Sequence, residues 1–466
     1  MEKQLPNGWT SCLINEMLSN NGLFVDGDWV ESKDQDENGD VRLTQLADIG
    51  DGIWKNRSNR FMTTAKTNEL NCTILMKNDI LIARMPDPLG RACVFVGDEK
   101  PCVTVVDVAI VRTGVNGVIP KWLMFSINSP PIRSKILSLQ SGTTRKRISR
   151  KNLSTITFPL PPLNEQKRIV AKIEELFSLV DSAKDTLEKT KVLLKQYRQS
   201  ILKHAFEGKL TEEWRKRQTL TFEPAFDLIE RIKIGTEVPL IENLPKKWAS
   251  TTFGNLFEIK VGSTPSRSKP EYWNGHIPWI SSGQVCNCEI FETKEKITEV
   301  GFQNSSLKIL PAGTILLAMI GEGKTRGQVG ILKISATTNQ NIASIMCADS
   351  EILTKYLYFW LLNRYDESRK IGFGGMQKAL NSKIVKTFPL ILSPIEEQYE
   401  IISKIEESFS LIEKNEILID KLLLQYSQIK NSILKQAFEG KLVPQDPNDE
   451  PAEVLLQRIR EEKNGK

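Results

Sequence analysis

The chain has 466 residues, of which 40% are hydrophobic, so it can bury sizeable cores, and its length indicates two to four domains. No apolar run approaches the roughly 18 residues of a membrane helix, and the first residues lack the pattern of a signal peptide. We therefore expect a cytoplasmic protein with no membrane partner. The net charge of +6 permits a polyanionic partner without demanding one.

Residues 1–160 are predicted to form a mixed α/β domain. Short β-type runs at 73–76, 80–83, 93–96 and 103–106 are separated by turns rich in Asn, Asp, Gly and Pro. A helix is expected around 121–128.

Two loops of this first module carry most of its polar chemistry. One lies at 50–60 and mixes glycines, amides and cations, and the other, at 142–151, is the densest basic run of the chain. Lysine and arginine neutralise phosphates, and arginine and asparagine can make paired hydrogen bonds to base edges. A charge run is usually only a solvated face, but several such loops on repeated modules favour a nucleic-acid interface. The candidate contacts are Lys55, Asn56, Arg57, Arg60, Thr143, Thr144, Arg145, Lys146 and Arg147.

A long helix is predicted to follow Pro161-Pro162, because proline is favoured in the first turn of a helix and not inside it. Its apolar positions alternate steps of four and three, which indicates a coiled-coil seam, and Gly208 should end the helix after about 40 residues. Tyr197 is expected on this seam. We assign a central helical region to 161–215 and a short helix with a linker to 216–243.

The helical stretch occurs twice. Residues 165–210 align without a gap on residues 397–442, at a shift of 232 residues, and about half of the positions are identical. The chain is therefore predicted to contain two head-to-tail copies of one unit, with the second helical region at 393–466. Such a duplication is typical of a protein that binds one partner at two sites.

The two long helices are expected to pair with each other as an antiparallel coiled coil, since neither could stand alone in water with its seam exposed. Asn415, inside the seam, is interpreted as a device that fixes the register. The alternative is a coiled-coil adaptor with no further role. The predicted pairing positions are Ile169, Ile173, Val180, Leu187, Leu194, Ile201, Ile401, Ile405, Ile412, Ile419 and Ile433.

Residues 244–392 are predicted to form a second mixed α/β module with the same order of elements, a strand at 314–318, another at 330–334 and a helix at 353–363. Its loops differ from those of the first module. The fold class is thus α+β, with an internal pseudo-two-fold repeat. The candidate contacts in this module are Ser263, Thr264, Ser266, Arg267, Lys324, Arg326, Gln377 and Lys378.

Known catalytic patterns are missing from the sequence. It has no GxxxxGK[ST] loop, no HExxH and no tetrapeptide of the kind that adenine methyltransferases use. Asp87 followed by 98–100 fits the loose pattern of magnesium nucleases, but the second module has no counterpart and 97–101 is typical of a turn. Cys286, Cys288 and His276 lack a fourth zinc ligand, so we predict neither a catalytic residue nor a metal site.

The chain resembles the specificity subunits of type I restriction–modification systems over nearly its whole length. The strongest carriers are 158–166 and its echo at 388–398, the Ala-Phe-Glu-Gly-Lys-Leu repeats at 205–210 and 437–442, and 442–446. Ser141–Ser149 and Gly262–Ser266 also resemble the family. In the second module, residues 375–381 depart from the basic run of the first, which leaves the DNA contacts there less defined.

The resemblance implies that two target-recognition domains each read one half of a split, asymmetric site in double-stranded DNA, and that the helices set the spacing. It also implies two modification (methyltransferase) subunits and restriction/translocase subunits as partners. Those partners would use S-adenosylmethionine, ATP and Mg, and this chain would bind no cofactor of its own. A self-sufficient nuclease or methyltransferase is the alternative of a different class.

Overall fold

A computed structural model describes residues 5–143, 145–219, 222–236, 241, 243–321, 323–347, 351–371 and 379–464. The chain divides into two compact units. The first comprises Met1–Glu188 and Asp420–Lys466, and the second comprises Lys189–Ile419. Each unit therefore contains one module together with a part of each long helix.

Most strands are short, as expected for runs of four or five apolar residues between turns. They are β1 (Thr10–Leu13), β2 (Leu23–Asp26), β3 (Val41–Thr44), β4 (Phe61–Met62), β5 (Ile80–Ala83), β6 (Ala92–Val94), β7 (Cys102–Thr104), β8 (Val108–Arg112), β9 (Thr157–Leu160), β10 (Ala249–Thr252), β11 (Glu258–Val261), β12 (Trp273–Ile280), β13 (Cys288–Ile290), β14 (Glu295–Ile297), β15 (Ile315–Ala318), β16 (Val329–Leu332), β17 (Thr337–Thr338), β18 (Ile342–Met346) and β19 (Pro389–Leu392).

Two helices of 44 residues each dominate the helical part. The helices are α1 (Thr64–Glu69), α2 (Pro120–Asn128), α3 (Pro130–Ser138), α4 (Arg150–Ser154), α5 (Leu163–Phe206), α6 (Glu212–Arg217), α7 (Ala225–Ile232), α8 (Phe253–Leu256), α9 (Glu299–Gln303), α10 (Glu351–Asn363), α11 (Tyr365–Lys370), α12 (Ser382–Lys386), α13 (Ile395–Phe438) and α14 (Ala452–Asn464).

The module of the first unit contains a four-stranded antiparallel sheet in the order β2-β8-β5-β6. A three-stranded sheet, β4-β3-β7, has β3 parallel to β7, and β1 pairs with β9 as a separate ribbon. No strand forms at 73–76, so that prediction was wrong. Side-chain carboxylates bind backbone amides of this segment instead. The Thr73 amide donates to Asp28, and the Met76 amide donates to the buried Asp79.

The module of the second unit has related parts with different strand pairings. A five-stranded sheet runs β11-β18-β15-β16-β13, a three-stranded sheet runs β14-β12-β17, and β10 pairs with β19 as the counterpart of the first ribbon. Helix α10 packs against β16 and buries Tyr356 and Trp360. The predicted strands at 314–318 and 330–334 and the helix at 353–363 are confirmed as β15, β16 and α10 to within a few residues.

The long helices run antiparallel in each unit. In the first unit the start of α5 shares a core with the end of α13, where Ile169 and Ile173 join Ile433, and Lys430 reaches Asp181 at 2.7 Å. The same core takes in Leu455 and Leu456 of α14.

In the second unit, Ile201 of α5 shares a core with Ile401, Ile405 and Ile412 of α13. The Arg198 guanidinium lies 3.2 Å from the carboxylate of Glu416. The predicted antiparallel pairing of the two helices is therefore confirmed.

Most of the predicted pairing positions face inward, but the seam drifts. Val180, Leu187 and Leu194 are half-buried, whereas Tyr197 is exposed and its neighbour Arg198 lies inward. A helix of 3.6 residues per turn falls behind a strict seven-residue repeat by about 20° per heptad, and this drift moves the inward face one position onward. The positions buried outright are Ile169, Ile173, Ile201, Ile401, Ile405, Ile412, Ile419 and Ile433.

The interpretation of Asn415 as a register device is corrected by the structure. Its side chain is exposed, and its amide donates to the Leu411 carbonyl of the same helix at 2.8 Å. It makes this local bond because the drift of the seam has carried it away from the partner helix.

Candidate nucleic-acid interface

Each module is tied to the first turn of a long helix by the same type of bond. The Trp9 indole donates to the Glu165 carboxylate at 2.9 Å, and the Trp248 indole donates to Glu397 at 2.8 Å. Both carboxylates are almost fully buried. The ribbons β1–β9 and β10–β19 begin directly after these tryptophans, so each module is held at an equivalent point of the repeat.

The basic run of the first module forms a tight turn. Ser141 and Arg147 exchange two backbone hydrogen bonds of 2.8 Å, and Gly142 has a φ of +94°. A Cβ at Gly142 would lie 2.4 Å from the Arg145 carbonyl oxygen, so this position requires glycine. Ile148 is buried directly after the turn, and its amide donates to the Arg84 carbonyl at 3.0 Å.

The turn presents Arg145, Lys146 and Arg147 to solvent. Among the residues that the structure describes, none of these three side chains has an ion-pair partner. Thr143 is exposed beside them, and Thr144 lies outside the described residues. The arrangement can therefore neutralise an anion without first breaking an internal salt bridge.

The completely buried Asp48 holds the backbone of the loop at 50–60. Its carboxylate accepts hydrogen bonds from the amides of Gln45, Arg57 and Ser58 at 2.6–2.7 Å. The backbone of the loop is thus fixed. The side chains of Lys55, Asn56 and Arg57 are exposed on it.

Arg60, at the end of this loop, is also exposed. Its guanidinium donates to the Gln35 amide oxygen at 2.8 Å. Because this bond is exposed at the surface, it can be exchanged for a bond to a ligand at modest cost.

A cleft of about 780 Å³ brings the turn together with other parts of the first module. Arg145 and Arg147 line it from the turn, and Gln45 and Leu46 from the segment that leads to the 50–60 loop. Trp29 also lines it and is 71% exposed. Trp29 is not among the residues predicted from the sequence, although its place in the turn-type segment Gly27-Asp28-Trp29 could have marked it as a tryptophan outside any apolar strand.

In the second module, two tryptophans hold the loop that follows Gly262. The Trp279 indole donates to the Ser263 carbonyl at 3.0 Å, and the Trp273 indole donates to the Ser266 carbonyl at 3.2 Å. A Cβ at Gly262 would lie 1.8 Å from the Thr338 carbonyl oxygen, so the loop crosses β17 in close contact. Thr264 donates to the Gln340 side chain at 2.5 Å.

Arg267 differs from the free cations of the first module. Its guanidinium lies 3.7 Å from the centre of the Trp273 ring and is ion-paired with Glu295. The hydrogen bond from Arg267 lowers the pKa of the Glu295 carboxyl. A phosphate could reach this arginine only by replacing Glu295.

The remaining candidates of the second module fall in different environments. Lys324 is exposed, and its carbonyl accepts a hydrogen bond from Tyr365 at 2.7 Å. Arg326 is only 6% exposed and donates to the Arg369 carbonyl at 2.8 Å. Its guanidinium therefore links the turn that contains Arg326 to α11. It does not face solvent, contrary to the expectation of a surface contact. Gln377 and Lys378 lie outside the described residues.

Three of the polar groups that suggested a nuclease or zinc site, Asp98, Lys100 and His276, make contacts within their own module. Asp98 pairs with Arg42 at 2.7 Å, and the Lys100 ammonium donates to the Gly39 carbonyl at 3.0 Å. His276 lies 3.2 Å from Glu299. Within the described part of the chain no cluster of three or more metal-binding side chains occurs, and no helix there is long and apolar enough to cross a bilayer.

Comparisons with known proteins agree with this arrangement of two modules on repeated helices. The profile of the family described as "Type I restriction modification DNA specificity domain" matches residues 14–191 and 245–424. The specificity subunit of the type I restriction enzyme EcoBI from Escherichia coli is 27% identical over 72% of this chain and 70% of that protein. The EcoKI specificity subunit of Escherichia coli K12 is 26% identical over 74% of this chain and 73% of its own length.

The fold is also found among solved structures. The crystal structure of the HsdS subunit from Thermoanaerobacter tengcongensis superposes with a TM-score of 0.59 at 15% identity. The superposition covers 94% of this chain and 99% of the HsdS subunit.

Proposed function

Because the chain belongs to the family of type I restriction–modification DNA specificity subunits, we propose that it recognises a bipartite, asymmetric site in double-stranded DNA. Each module reads one half-site, and the length of the paired helices sets the spacer. The observation that carries the proposal is the repeated attachment of two unlike modules, through Trp9 to Glu165 and Trp248 to Glu397, to two copies of one helix. The two modules are attached at equivalent positions of the repeated helix. Because the modules differ from each other, they can recognise different DNA sequences.

In the first module, the contacts to phosphate are proposed to come from the turn at 141–147 and from the 50–60 loop. Both present exposed cations on a backbone that internal hydrogen bonds hold in place, so little backbone conformational entropy is lost on binding. The proposed contact residues are Lys55, Asn56, Arg57, Arg60, Thr143, Thr144, Arg145, Lys146 and Arg147.

In the second module, the loop from Ser263 to Arg267 and the exposed Lys324 are the proposed contacts. The ion pair of Arg267 with Glu295 would have to open, so we expect this loop to contribute more to discrimination than to overall affinity. Gln377 and Lys378 remain candidates from the sequence.

We further propose that this chain carries no catalytic residue and acts in the cytoplasm with two modification subunits and with restriction/translocase subunits. Methyl transfer, ATP hydrolysis and cleavage, with S-adenosylmethionine, ATP and Mg, would then belong to those partners. The engagement of Asp98 and Lys100 in structural contacts supports this over a self-sufficient nuclease.

An exchange of modules tests the proposal. Residues 249–386 are replaced by the equivalent segment of another family member, and the methylated adenines are mapped by sequencing DNA from cells that also carry the partner subunits. One half of the methylated site should change and the other half should stay. The reciprocal exchange of the first module is the control and should change the opposite half. A change of both halves after either exchange would overturn the assignment of one half-site to each module.

A further inference from the structure

Trp29 stands apart from the other tryptophans of the chain. The structure describes all nine, and the other eight are buried or half-buried, whereas Trp29 is 71% exposed. A single exposed apolar side chain is ordinary on a protein surface. A role for Trp29 is therefore inferred from the hydrogen bonds of the backbone that carries the indole and from the residues around it.

The backbone under Trp29 is firmly fixed. The Asp28 amide donates to the Thr104 carbonyl at 2.8 Å, and the Asp28 carboxylate accepts the Thr73 amide at 3.0 Å. A Cβ at Gly27 would lie 2.3 Å from the Val105 carbonyl oxygen, so the chain runs in direct contact with its neighbour there. The indole is thus held outward on a rigid support, which is how a preorganised recognition residue avoids an entropic cost on binding.

The polar residues that line the cleft with Trp29 are of different chemical kinds. Arg145 and Arg147, on the 141–147 turn, suit phosphate oxygens. The segment of Trp29 contributes Glu31, whose exposed carboxylate accepts a hydrogen bond from the Trp29 indole at 3.4 Å and lies 2.8 Å from the Lys33 ammonium, and Gln45 lies in the same cleft. A carboxylate repels phosphate but accepts hydrogen bonds from the amino group of cytosine, and a glutamine amide can pair with adenine. The indole is therefore placed with groups that suit bases, beside groups that suit the backbone.

We propose that Trp29 is a specificity-determining residue of the first module, whose indole makes an apolar contact with the methyl group of a thymine in the major groove while Arg145 and Arg147 hold the adjacent phosphates. Thymine alone presents a methyl group at its major-groove edge, and an apolar contact with this group depends little on ionic strength. This inference rests on the proposed DNA recognition and assigns one more residue to it. It predicts that loss of the indole weakens binding without changing the number of ionic contacts.

A selection from a random duplex library tests the inference. The full chain, in complex with its modification subunits, is incubated with random-sequence DNA, and the bound fraction is sequenced. Trp29→Ala should lose preference at one or two positions of one half-site and keep the other half-site. Its affinity for the duplex selected by the wild type should fall about tenfold or more at an unchanged salt dependence. Trp29→Phe should retain most of the preference.

Two controls make the outcome decisive. Val115→Ala removes another exposed apolar side chain of the same module, which is 79% exposed and lies outside this cleft, and it should change neither half-site. Thermal unfolding at the wild-type temperature shows that a variant is folded. A folded Trp29→Ala variant with wild-type affinity and wild-type preference in both halves would overturn the inference alone. A wild-type complex that enriches no sequence would overturn the proposed function itself.

Discussion

Among the described residues, the Glu165 carboxylate has one hydrogen-bond donor, Trp9, whereas the Glu397 carboxylate has donors besides Trp248. The indole of Trp9 donates to Oε2 of Glu165 at 2.9 Å, and among the described residues the other oxygen of this buried carboxylate has no hydrogen-bond donor. Glu397 accepts in addition from the Thr211 hydroxyl at 2.6 Å and from Arg215. The buried carboxylate at this position therefore has three side-chain donors in the second unit and one in the first.

The first prediction follows from this difference. Trp9→Phe leaves a buried carboxylate without its donor, which costs about 2–3 kcal/mol, whereas Trp248→Phe leaves two donors on Glu397 and should cost about 1 kcal/mol. Hydrogen exchange measured by mass spectrometry reports the loss in each unit separately. Trp29→Phe, at an exposed indole, should leave both units unchanged. Equal losses in the two units would show that Thr211 and Arg215 do not support Glu397.

The second prediction concerns pH. Burial raises the pKa of the Glu165 carboxyl above its ordinary value of 4.5, although the bond from Trp9 opposes this. The folded protein therefore holds the proton of Glu165 more tightly than the unfolded chain. The stability that this gives is complete below about pH 4.5 and is lost as the pH rises through the raised pKa.

Glu165→Gln removes this titration. The stability of the wild type relative to this variant should therefore decrease between about pH 4.5 and neutral pH, as measured by urea unfolding. If the two proteins kept a constant difference over this range, Glu165 would not be the group responsible.

The third prediction concerns the 141–147 turn. Replacing Arg145, Lys146 and Arg147 together by alanine should weaken binding to all duplex sequences and reduce the slope of log affinity against log salt by about one for each lost phosphate contact. The matched control, Arg145→Lys with Arg147→Lys, keeps the charges and should keep the slope. An unchanged slope in the alanine variant would remove this turn from the phosphate contacts.

The regular parts of this structure could be predicted from the sequence because local signals agreed with packing. Prolines and glycines marked the ends of the long helices, and the repeat of apolar residues predicted their pairing. Gly208 and Gly440 do follow these ends, with φ values of +73° and +69°. What could not be predicted is set by long-range contacts. The burial of Arg326 depends on a carbonyl of α11, 43 residues away, and the exposure of Asn415 depends on the drift of the whole seam.

The candidate site shows the same limit. Charge density found the 141–147 turn, but the role of Asp48 beneath the 50–60 loop arises only when the chain folds back on itself. Trp29 and Arg145 are more than a hundred positions apart and share a cleft only in the folded module.

The fourth prediction concerns spacing. Adding one heptad to the middle of both α5 and α13 keeps the apolar pattern in phase and lengthens each helix by about 10 Å. The spacer of the methylated site should then grow by roughly one to three base pairs, as read from sequencing of methylated DNA. A heptad added to only one helix makes the paired helices unequal in length and should reduce DNA methylation by the complex instead. An unaltered spacer in the doubly extended protein would mean that something other than helix length sets the distance.

The last prediction follows from the cores of the two units. The core of the first unit borrows Ile433, Leu434, Ala437 and Phe438 from α13. A fragment of residues 1–243 lacks these, but the repeat supplies equivalents in Ile201, Leu202, Ala205 and Phe206, which serve the core of the second unit.

The same holds for the end of the chain. Ala452 and Leu456 of α14 belong to the first core, and their counterparts in the repeat, Ala225 and Ile229 of α7, belong to the second. Two copies of the 1–243 fragment can therefore complete each other's cores, each giving its helix end to the module of its partner. Such a pair has a two-fold axis, and a two-fold protein reads inverted half-sites. Light scattering should show a dimer, and with the modification subunits it should methylate a palindrome built from the half-site of the first module. A monomeric fragment, or methylation of the original asymmetric site, would show that the two halves of the chain are not interchangeable.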